Sequence, residues 1–309
     1  MVKVLILDGS HCLYRSWYAV PPMSSEDGRP TNAVHGFLAI LSRAIDEFQP
    51  DQVLVAWDRG KPAYRKEALE KYKADRPPMD PAMKAQFPLI QGVLEAMELP
   101  QLSVEGWEAD DVLGTLTRLV AEAGGETVVL SGDKDLLQLV DASTIQARPA
   151  NGGGFNLYDE AAVEAEFGIP PCCYVDFVAL KGDPSDGIPG VTGIGAKGAA
   201  KLIAEYRSLE NLLAHADEVP GRNGQLLREQ DAQARMSKDV ALIRRDLEVD
   251  FDPELRWGDF DPAAKEAFLD LGLTTMWRRL SKHARGYVPA EARTQTPPED
   301  GYGGMPSLF

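Results

Sequence analysis

The apolar run VKVLIL, residues Val2–Leu7, is followed at once by Asp8, and this pattern is typical of a buried parallel strand. Two later runs repeat the format of a strand with an aspartate shortly after it: QVLVA (Gln52–Ala56) before Asp58, and ETVVL (Glu126–Leu130) before Asp133. Helical patterns separate the three runs. Strand–helix alternation predicts a doubly wound α/β domain, in which ligand sites gather beyond the carboxyl ends of the strands. We therefore expect the three aspartates at one edge of the sheet.

Helical patterns predominate in the second half of the chain. In the first half they cover residues 33–48, 81–97 and 108–123, and in the second 172–181, 196–206, 209–214, 225–242 and 262–271. We expect an α/β domain over residues 1–170 and a smaller helical domain over residues 171–286. Residues 287–309 are rich in Pro, Gly and polar side chains, which predicts a disordered tail.

Composition favours a globular cytoplasmic protein. Of the 309 residues, 44% are hydrophobic and 26% are charged. The apolar run at the N-terminus is too short for a signal peptide, and no stretch has the roughly 18–20 apolar residues that span a membrane. The three cysteines lack CxxC spacing, which fits reduced thiols better than disulfides or a zinc site. We expect a monomer in the cytoplasm.

The net charge of −16 argues at first against a nucleic-acid partner, but one segment has the opposite charge. Residues 59–76 contain seven basic and three acidic residues, a local net charge of +4. Such a run is usually a solvated helix with ion pairs along its surface. Because it follows Asp58 directly, it must lie at the rim of the predicted site, which favours a role in gripping phosphate.

Acidic residues occur in five clusters that the predicted fold brings towards one place. They are Asp8; Asp58; Glu108, Asp110 and Asp111; Asp133 and Asp135; and Asp183 and Asp186. A single aspartate after a strand is often only a turn residue or a helix cap. Several carboxylates together repel one another unless cations neutralise them. Oxygen ligands in this number select Mg²⁺ or Mn²⁺, and two such ions can hydrolyse a phosphodiester.

The glycine-rich stretch Gly190–Lys197 (GVTGIGAK) indicates a phosphate-binding turn. It departs from the Walker pattern, because Ala196 precedes the lysine and Gly198 follows it. It also lacks the preceding strand of a dinucleotide-binding site. The pattern fits a helix–hairpin–helix, in which backbone N–H groups with Lys197 and Lys201 hold a DNA phosphate without base contacts. A plain glycine-rich loop is the alternative.

Five motifs together resemble the 5′-nuclease domain of bacterial DNA polymerase I, within the 5′-3′ exonuclease and flap-endonuclease family. They are LDGSHCLYRSWYA (Leu7–Ala19), VAWDRGKPAYRKEALEKYKADRPPMD (Val55–Asp80), EGWEADDVLGTL (Glu105–Leu116), LSGDKDLLQLV (Leu130–Val140) and LKGDPSDGIPGVTGIGAKGAAKLI (Leu180–Ile203). The resemblance extends from Met1 to about Gly286. It implies a PIN-like fold with a basic helical arch near residues 59–82 and a helix–three-turn–helix domain whose hairpin lies at 183–206.

The resemblance also implies which residues act. Two or more divalent ions would be held by the nine acids named above, and Lys73 and Arg76 would position the scissile phosphate. The implied DNA-binding residues are Arg15, Arg65, Tyr72, Lys73, Arg76, Gly190, Gly193, Gly195, Lys197 and Lys201, and Tyr14 is a second candidate for stacking on a base. A potassium ion at the hairpin is a further implied ligand.

The sequence departs from the family pattern at residue 187. Gly187 stands where family members usually carry Asn, so one local hydrogen bond is lost while every metal-binding acid is kept. No polymerase domain follows, and we expect a stand-alone nuclease. Two alternatives remain: a PIN-type ribonuclease with the same chemistry on RNA, and a branched-DNA-binding protein without catalysis. The hairpin argues against the first, and the full set of acids argues against the second.

The last five residues, Met305–Phe309 (MPSLF), resemble the short peptides that dock in the hydrophobic pocket of bacterial sliding clamps. A Leu-Phe pair on a disordered tail has no core to join, which favours a partner. The usual leading Gln of such peptides is absent. Clamp binding is therefore a hypothesis that depends on this short match.

Overall fold

The computed structural model describes residues 2–258 and 260–286, so the tail and its clamp-like ending lie outside the described residues. Within these residues six strands form one sheet: β1 (Lys3–Asp8), β2 (Gln52–Ala56), β3 (Gln101–Leu102), β4 (Glu126–Leu130), β5 (Thr144–Pro149) and β6 (Phe155–Tyr158). The spatial order is β3-β2-β1-β4-β5-β6, and only the β5–β6 pair is antiparallel. A doubly wound, mostly parallel sheet was predicted and is confirmed.

Helices cover both faces of the sheet. In the α/β domain they are α1 (Gly9–Ala19), α2 (Asn32–Phe48), α3 (Ala63–Ala68), α4 (Pro81–Lys84), α5 (Gln86–Ala96), α6 (Ala109–Glu122) and α7 (Glu160–Phe167). The apolar residues of β1 alternate: Leu5 and Leu7 pack with α1, α2 and α5, whereas Val4 and Ile6 pack with α6. Because successive side chains of a strand point to opposite faces, a continuous apolar run is what a sheet buried on both faces requires.

The first five of the remaining helices form a separate helical body. The remaining helices are α8 (Tyr174–Lys181), α9 (Ala196–Tyr206), α10 (Leu209–Ala214), α11 (Arg222–Glu229), α12 (Asp231–Ala241), α13 (Lys265–Asp270) and α14 (Thr274–Leu280). Helices α8–α12 share one hydrophobic core, to which Tyr72 and Val163 of the first domain also contribute. This core places the glycine-rich hairpin, between α8 and α9, beside the carboxyl edge of the sheet.

Residues after α12 return to the α/β domain, which differs from the predicted extent of the helical domain. Ile243 joins the core on the α6 side of the sheet, with Leu247 and Phe251 packed against it. Phe268 and Met276, from α13 and α14, lie in the core on the opposite face. The helical body therefore covers about residues 171–242 rather than 171–286. Its second boundary was missed because these helices carry no sign in sequence of which core they join.

Several elements differ from the sequence prediction for local reasons. The helix expected at 81–97 divides at Ala85, because Pro88 has no N–H to donate to the carbonyl of Lys84. The helix expected at 225–242 divides at Gln230. Strands β3, β5 and β6 were not predicted; β3 has only two residues and β6 is partly exposed. No helix in the described part of the chain has the length and apolarity to cross a membrane.

Candidate active site

Three aspartates lie at the ends of adjacent strands, as predicted. Asp8 ends β1, Asp58 follows β2 and Asp133 follows β4, and β1 pairs directly with both neighbours. Asp8 caps α1: its Oδ1 accepts the backbone N–H of His11 at 2.9 Å. The Oδ1 of Asp58 accepts the N–H of Ala109 at the start of α6, at 2.8 Å. Helix N-termini therefore hold two of these carboxylates in place.

Ser131 is a member of this site that the sequence analysis did not single out. Its hydroxyl donates to Oδ2 of Asp8 at 2.9 Å and accepts the N–H of Asp133 at 3.1 Å. The side chain is fully buried, and its two hydrogen bonds link the two aspartates on the side away from solvent. At the next residue, Gly132, a Cβ would lie 2.6 Å from Nε2 of His11, so a side chain there would have to displace the imidazole. The position of Ser131 two residues before Asp133 in the SGD motif was the signal that could have identified it.

Mutual repulsion shows that the acids form one cluster. Burial, followed by the charge of Asp58, raises the pKa of Asp8 to about 7. Burial, followed by Asp133, raises the pKa of Asp135 to about 8. Burial, then Asp133 and Asp8, raises the pKa of Asp110 well above its ordinary value. The structure therefore brings acids from the ends of three strands and from α6 into one electrostatic field, with Asp183 and Asp186 acting on Asp135 from the helical body.

The three acids of the Glu108–Asp111 motif separate into different roles. Asp110 faces the cluster, and its carboxylate makes no hydrogen bond or ion pair with the described residues. Asp111 is fully buried and turns away: its oxygens accept from both ends of the Arg65 guanidinium, at 2.7 and 2.8 Å, and from the N–H of Arg244 at 2.9 Å. This arrangement corrects the prediction that Asp111 is a metal ligand, because both of its oxygens are engaged by the chain's own buried guanidinium.

Glu108 lies between these two environments. Its Oε1 accepts from Nζ of Lys73 at 2.9 Å, and its Oε2 accepts from Arg65 at 2.8 Å and from the hydroxyl of Tyr72 at 2.7 Å. Burial raises the pKa of Glu108, but the charge and hydrogen bond of Lys73 outweigh it, so the pKa lies below its ordinary value. Glu108 is therefore an ionised acid neutralised by the chain's own cations.

Two predicted DNA contacts are wrong because the side chains are buried. Arg65 is 2% exposed, and besides its acids it donates to the carbonyls of Val240 and Leu242. Tyr72 is 5% exposed and gives its hydroxyl to Glu108. Neither has a free face for a phosphate or a base. A basic or aromatic residue in a charged run has the same appearance in sequence whether it faces solvent or carboxylates.

Lys73 and Arg76 lie over the acids, although no continuous helical arch carries them. After α3 ends at Ala68, residues 70–75 form turns that lie on the loop at 183–188. Nζ of Lys73 is 2.9 Å from Glu108 and 3.5 Å from Asp186, and Nη2 of Arg76 is 2.6 Å from Asp186. The Arg76 side chain is half exposed, so it remains open to a ligand from solvent.

Asp183 and Asp186 lie on a tight loop between α8 and the hairpin. The backbones of Asp183 and Ile188 exchange two hydrogen bonds of 2.8 Å, which close the loop. Oδ1 of Asp183 accepts from the N–H and the hydroxyl of Ser185. Asp186 is held by Lys73 and Arg76. The loop thus places both acids at the edge of the helical body that faces the strand ends.

The predicted phosphate-binding turn has the expected backbone. Gly190 and Gly193 have φ values of +61° and +103°, and Gly195 is the N-cap of α9, on which Lys197 and Lys201 are exposed. Arg222, which the sequence analysis missed, lies beside this turn: its Nη2 is 3.8 Å from the Cβ position of Gly193. Arg15 on α1 is partly exposed near the other rim of the site.

No three Asp, Glu, His or Cys side chains among residues 2–258 and 260–286 form a ready-made metal site. The acids instead spread around a small polar cleft lined by Glu108, Asp110, Asp135 and Asp186 among others. Part of their charge is balanced by Lys73 and Arg76. The cleft therefore has the charge that divalent ions require, without a closed coordination shell.

Comparisons with known proteins assign the chain to a family. A family model described as the N-terminal resolvase-like domain of 5′-3′ exonucleases matches residues 3–168, and one described as their C-terminal SAM fold matches residues 169–263. The chain belongs to the 5′-3′ exonuclease family. Members of this family are nucleases that act on DNA, and the predicted resemblance and fold class are confirmed.

Relatives of known function are longer than this chain. DNA polymerase I of Bacillus caldotenax is 36% identical over 282 residues, which cover 90% of this chain and 32% of the relative. DNA polymerase I of Bacillus subtilis is 37% identical over 284 residues, or 91% of this chain and 32% of that protein. The chain therefore spans about a third of the length of these relatives.

Solved structures with the same fold are more distant in sequence. The 5′-exonuclease of phage T5, solved with divalent zinc ions, has 18% identity and a TM-score of 0.64, covering 91% of this chain and 97% of that chain. The catalytic core of Rad2 with DNA substrate has 17% identity and a TM-score of 0.58, covering 92% of both chains. These similarities establish the fold.

Proposed function

We propose that this protein is a metal-dependent nuclease that hydrolyses DNA phosphodiester bonds at a 5′ end or at the base of a 5′ flap. The observation that carries the proposal is the cluster of carboxylates at the strand ends, in which burial and mutual repulsion raise the pKa of Asp8 and Asp135 to about 7 and about 8. Such repulsion is relieved when cations bind among the acids.

The donor atoms of the cluster fit two or more Mg²⁺ or Mn²⁺ ions. We assign the ligands to Asp8, Asp58, Asp110, Asp133, Asp135, Asp183 and Asp186, with Glu108 available once Lys73 moves. All are hard oxygen donors, and none of the four histidines or three cysteines is among them. When bound, the ions would activate a water molecule and neutralise the leaving oxygen.

The chain's own cations are proposed to hold the DNA. Lys73 and Arg76 would exchange their carboxylate partners for the scissile phosphate, which they can reach from the rim of the cleft. Lys197, Lys201 and Arg222 would hold the duplex at the hairpin by its phosphates alone. The Rad2 core and a phage T5 flap endonuclease of the same fold were solved with DNA, which supports this assignment.

The proposal includes three finer points. A potassium ion at the hairpin would have to share carbonyls already in use, because Gly190 accepts from Gln233 and Thr192 accepts from Gln230. Binding of Met305–Phe309 to a sliding clamp is tested by deleting these residues, which should abolish binding to the purified clamp. We also propose a monomer in the cytoplasm, where the free thiols of Cys12, Cys172 and Cys173 would stay reduced.

One assay tests the function and its alternatives. The protein is incubated with a labelled 5′-flap DNA duplex, or with the RNA counterpart, in Mg²⁺ or in EDTA. We expect magnesium-dependent cutting of DNA near the flap base, and none by Asp133→Asn, which should still bind the duplex. Cutting of RNA alone would identify a PIN-type ribonuclease. Binding of the flap without cutting would identify a non-catalytic DNA-binding protein.

A further inference from the structure

Residues 69–76 lie on the loop at 183–188 through a very close backbone contact at Gly187. A Cβ on Gly187 would lie 2.7 Å from the carbonyl oxygen of Lys71, closer than such atoms approach in proteins. Gly187 also has a φ of +75°, a conformation that glycine adopts without strain. Next to it, the N–H of Lys73 donates to the carbonyl of Asp186 at 3.0 Å. In this chain the two segments approach this closely because residue 187, usually Asn in the family, has no side chain.

This contact determines where Lys73 points. The carbonyl of Lys71 also accepts the N–H of Ala74 at 3.1 Å, so a shift of Lys71 moves the whole turn. Lys73 has a φ of +51°, which is unusual for a residue with a side chain and is maintained by its surroundings. The turn brings the Lys73 ammonium between Glu108 and Asp186, at 2.9 and 3.5 Å. The position of this ammonium over the acids therefore depends on how closely residues 69–76 approach Gly187.

We propose that Gly187 is a positioning residue. Its missing side chain allows the turn that carries Lys73 to lie close to the loop at 183–188, and this fixes the position of the Lys73 ammonium over the carboxylate cluster. The inference rests on the proposed function, because Lys73 is the group assigned to the scissile phosphate. A side chain at 187 would raise the turn and displace the ammonium. Displacements of about 1 Å at a catalytic group can cost about 100-fold in rate. Gly187 would act on the rate through Lys73, and not on the affinity for DNA.

The experiment compares two asparagine substitutions that differ in one contact. Gly187→Asn is the test, with Gly187→Ala as a smaller variant in case the first does not fold. Gly168→Asn is the control, because Gly168 at the end of α7 has nearly the same φ, +73°, and no described residue has an atom within 4 Å of its Cβ position. Asparagine tolerates this backbone region better than most residues. Gly168→Asn therefore has the same backbone strain as Gly187→Asn but lacks the steric clash.

Hydrogen exchange and kinetics give independent measurements. In the Gly187 variant, the amides of residues 69–76 should exchange faster than in the wild type and in Gly168→Asn, in the absence of DNA. The kcat for the flap substrate should fall about tenfold to 100-fold while KM stays within about twofold. Unchanged exchange in residues 69–76 would contradict the proposed contact between this segment and Gly187. A lower kcat in both asparagine variants alike would show that the clash is not its cause.

A double-mutant cycle separates positioning from general damage. In a Lys73→Ala background, Gly187→Asn should have no further effect on kcat, because the group it positions is gone. Additive losses would overturn the proposal. If the wild-type protein cuts no DNA, the proposed function fails, and the catalytic part of this inference fails with it. The exchange measurement would still confirm or contradict the contact between residues 69–76 and Gly187.

Discussion

Arg65 and Asp111 form a buried, two-pronged ion pair, with Nη1 and Nη2 of the guanidinium 2.8 and 2.7 Å from the two carboxylate oxygens. Their side chains are 3% and 0% exposed. The same guanidinium donates to the carbonyls of Val240 and Leu242 at the end of α12. One side chain thus joins α3, α6 and the helical body directly behind the carboxylate cluster.

Replacing Arg65 should destabilise the fold. Arg65→Ala leaves Asp111 as a buried charge without a cationic partner and removes one of the two cations on Glu108, a change that costs about 3–5 kcal/mol. We expect the free energy of unfolding in urea to fall by that amount. Arg59→Ala is the matched control, because the Arg59–Glu105 pair is exposed and should contribute less than about 1 kcal/mol. Normal stability with weakened DNA binding in Arg65→Ala would instead restore a phosphate-binding role.

The adjacent acids Asp110 and Asp111 should respond oppositely to the same substitution. Asp110→Asn removes a repelled charge from the cluster, so the metal-free protein should be as stable as the wild type or more stable. Its affinity for Mg²⁺ should fall about tenfold or more, with loss of cutting. Asp111→Asn breaks the Arg65 pair and should lower the melting temperature while magnesium still binds. Calorimetric titration with MgCl₂ and thermal unfolding in EDTA measure the two effects, and equal magnesium affinities would contradict the separation.

The metal-free protein should lose stability as the pH rises from about 4 to about 8. The folded-state pKa values of Asp8 and Asp135, about 7 and about 8, lie above the ordinary value of 3.8. The folded chain therefore binds more protons than the unfolded chain between these limits, and this contribution is complete below the unfolded pKa and lost as pH rises through the folded values. The melting temperature in EDTA should fall from about pH 4 to about pH 8 and then level off. Magnesium should flatten that fall, as should Asp135→Asn without metal.

Removing the Lys73 ammonium should slow cleavage much more than it weakens binding. Loss of one donor that stabilises transition-state charge costs about 10²–10³ in kcat. Lys73→Ala should show a loss of this order in single-turnover cleavage of the flap duplex, with binding in Ca²⁺ nearly unchanged. Lys66→Ala tests the same basic segment at an exposed residue that contacts none of the acids. A similar loss of rate in both variants would reduce the role of Lys73 to bulk charge.

The sequence predicted the features that arise from local chemistry. The aspartates after β1, β2 and β4 could be placed together because parallel strands with two buried faces have continuous apolar runs. The hairpin glycines could be identified because their backbone conformations exclude most side chains. The roles of Arg65, Tyr72 and Asp111 could not be predicted, because they depend on which neighbours the tertiary fold supplies. Nor could the return of residues 243–286 to the first domain, since an apolar helix face fits any apolar surface.

That return makes the helical body an insertion within the α/β domain. Its entry near residue 170 and its exit near residue 242 both connect to the same sheet domain; Ile169 lies in the core of the helical body, and Ile243 lies in the core on the α6 side of the sheet. A body with two chain connections, and with Tyr72 and Val163 of the first domain in its core, is held against that domain more firmly than a body on one linker. Asp183 and Asp186 are therefore held beside Asp135 by the chain itself, and metal ions bound between them would cross-link the two bodies.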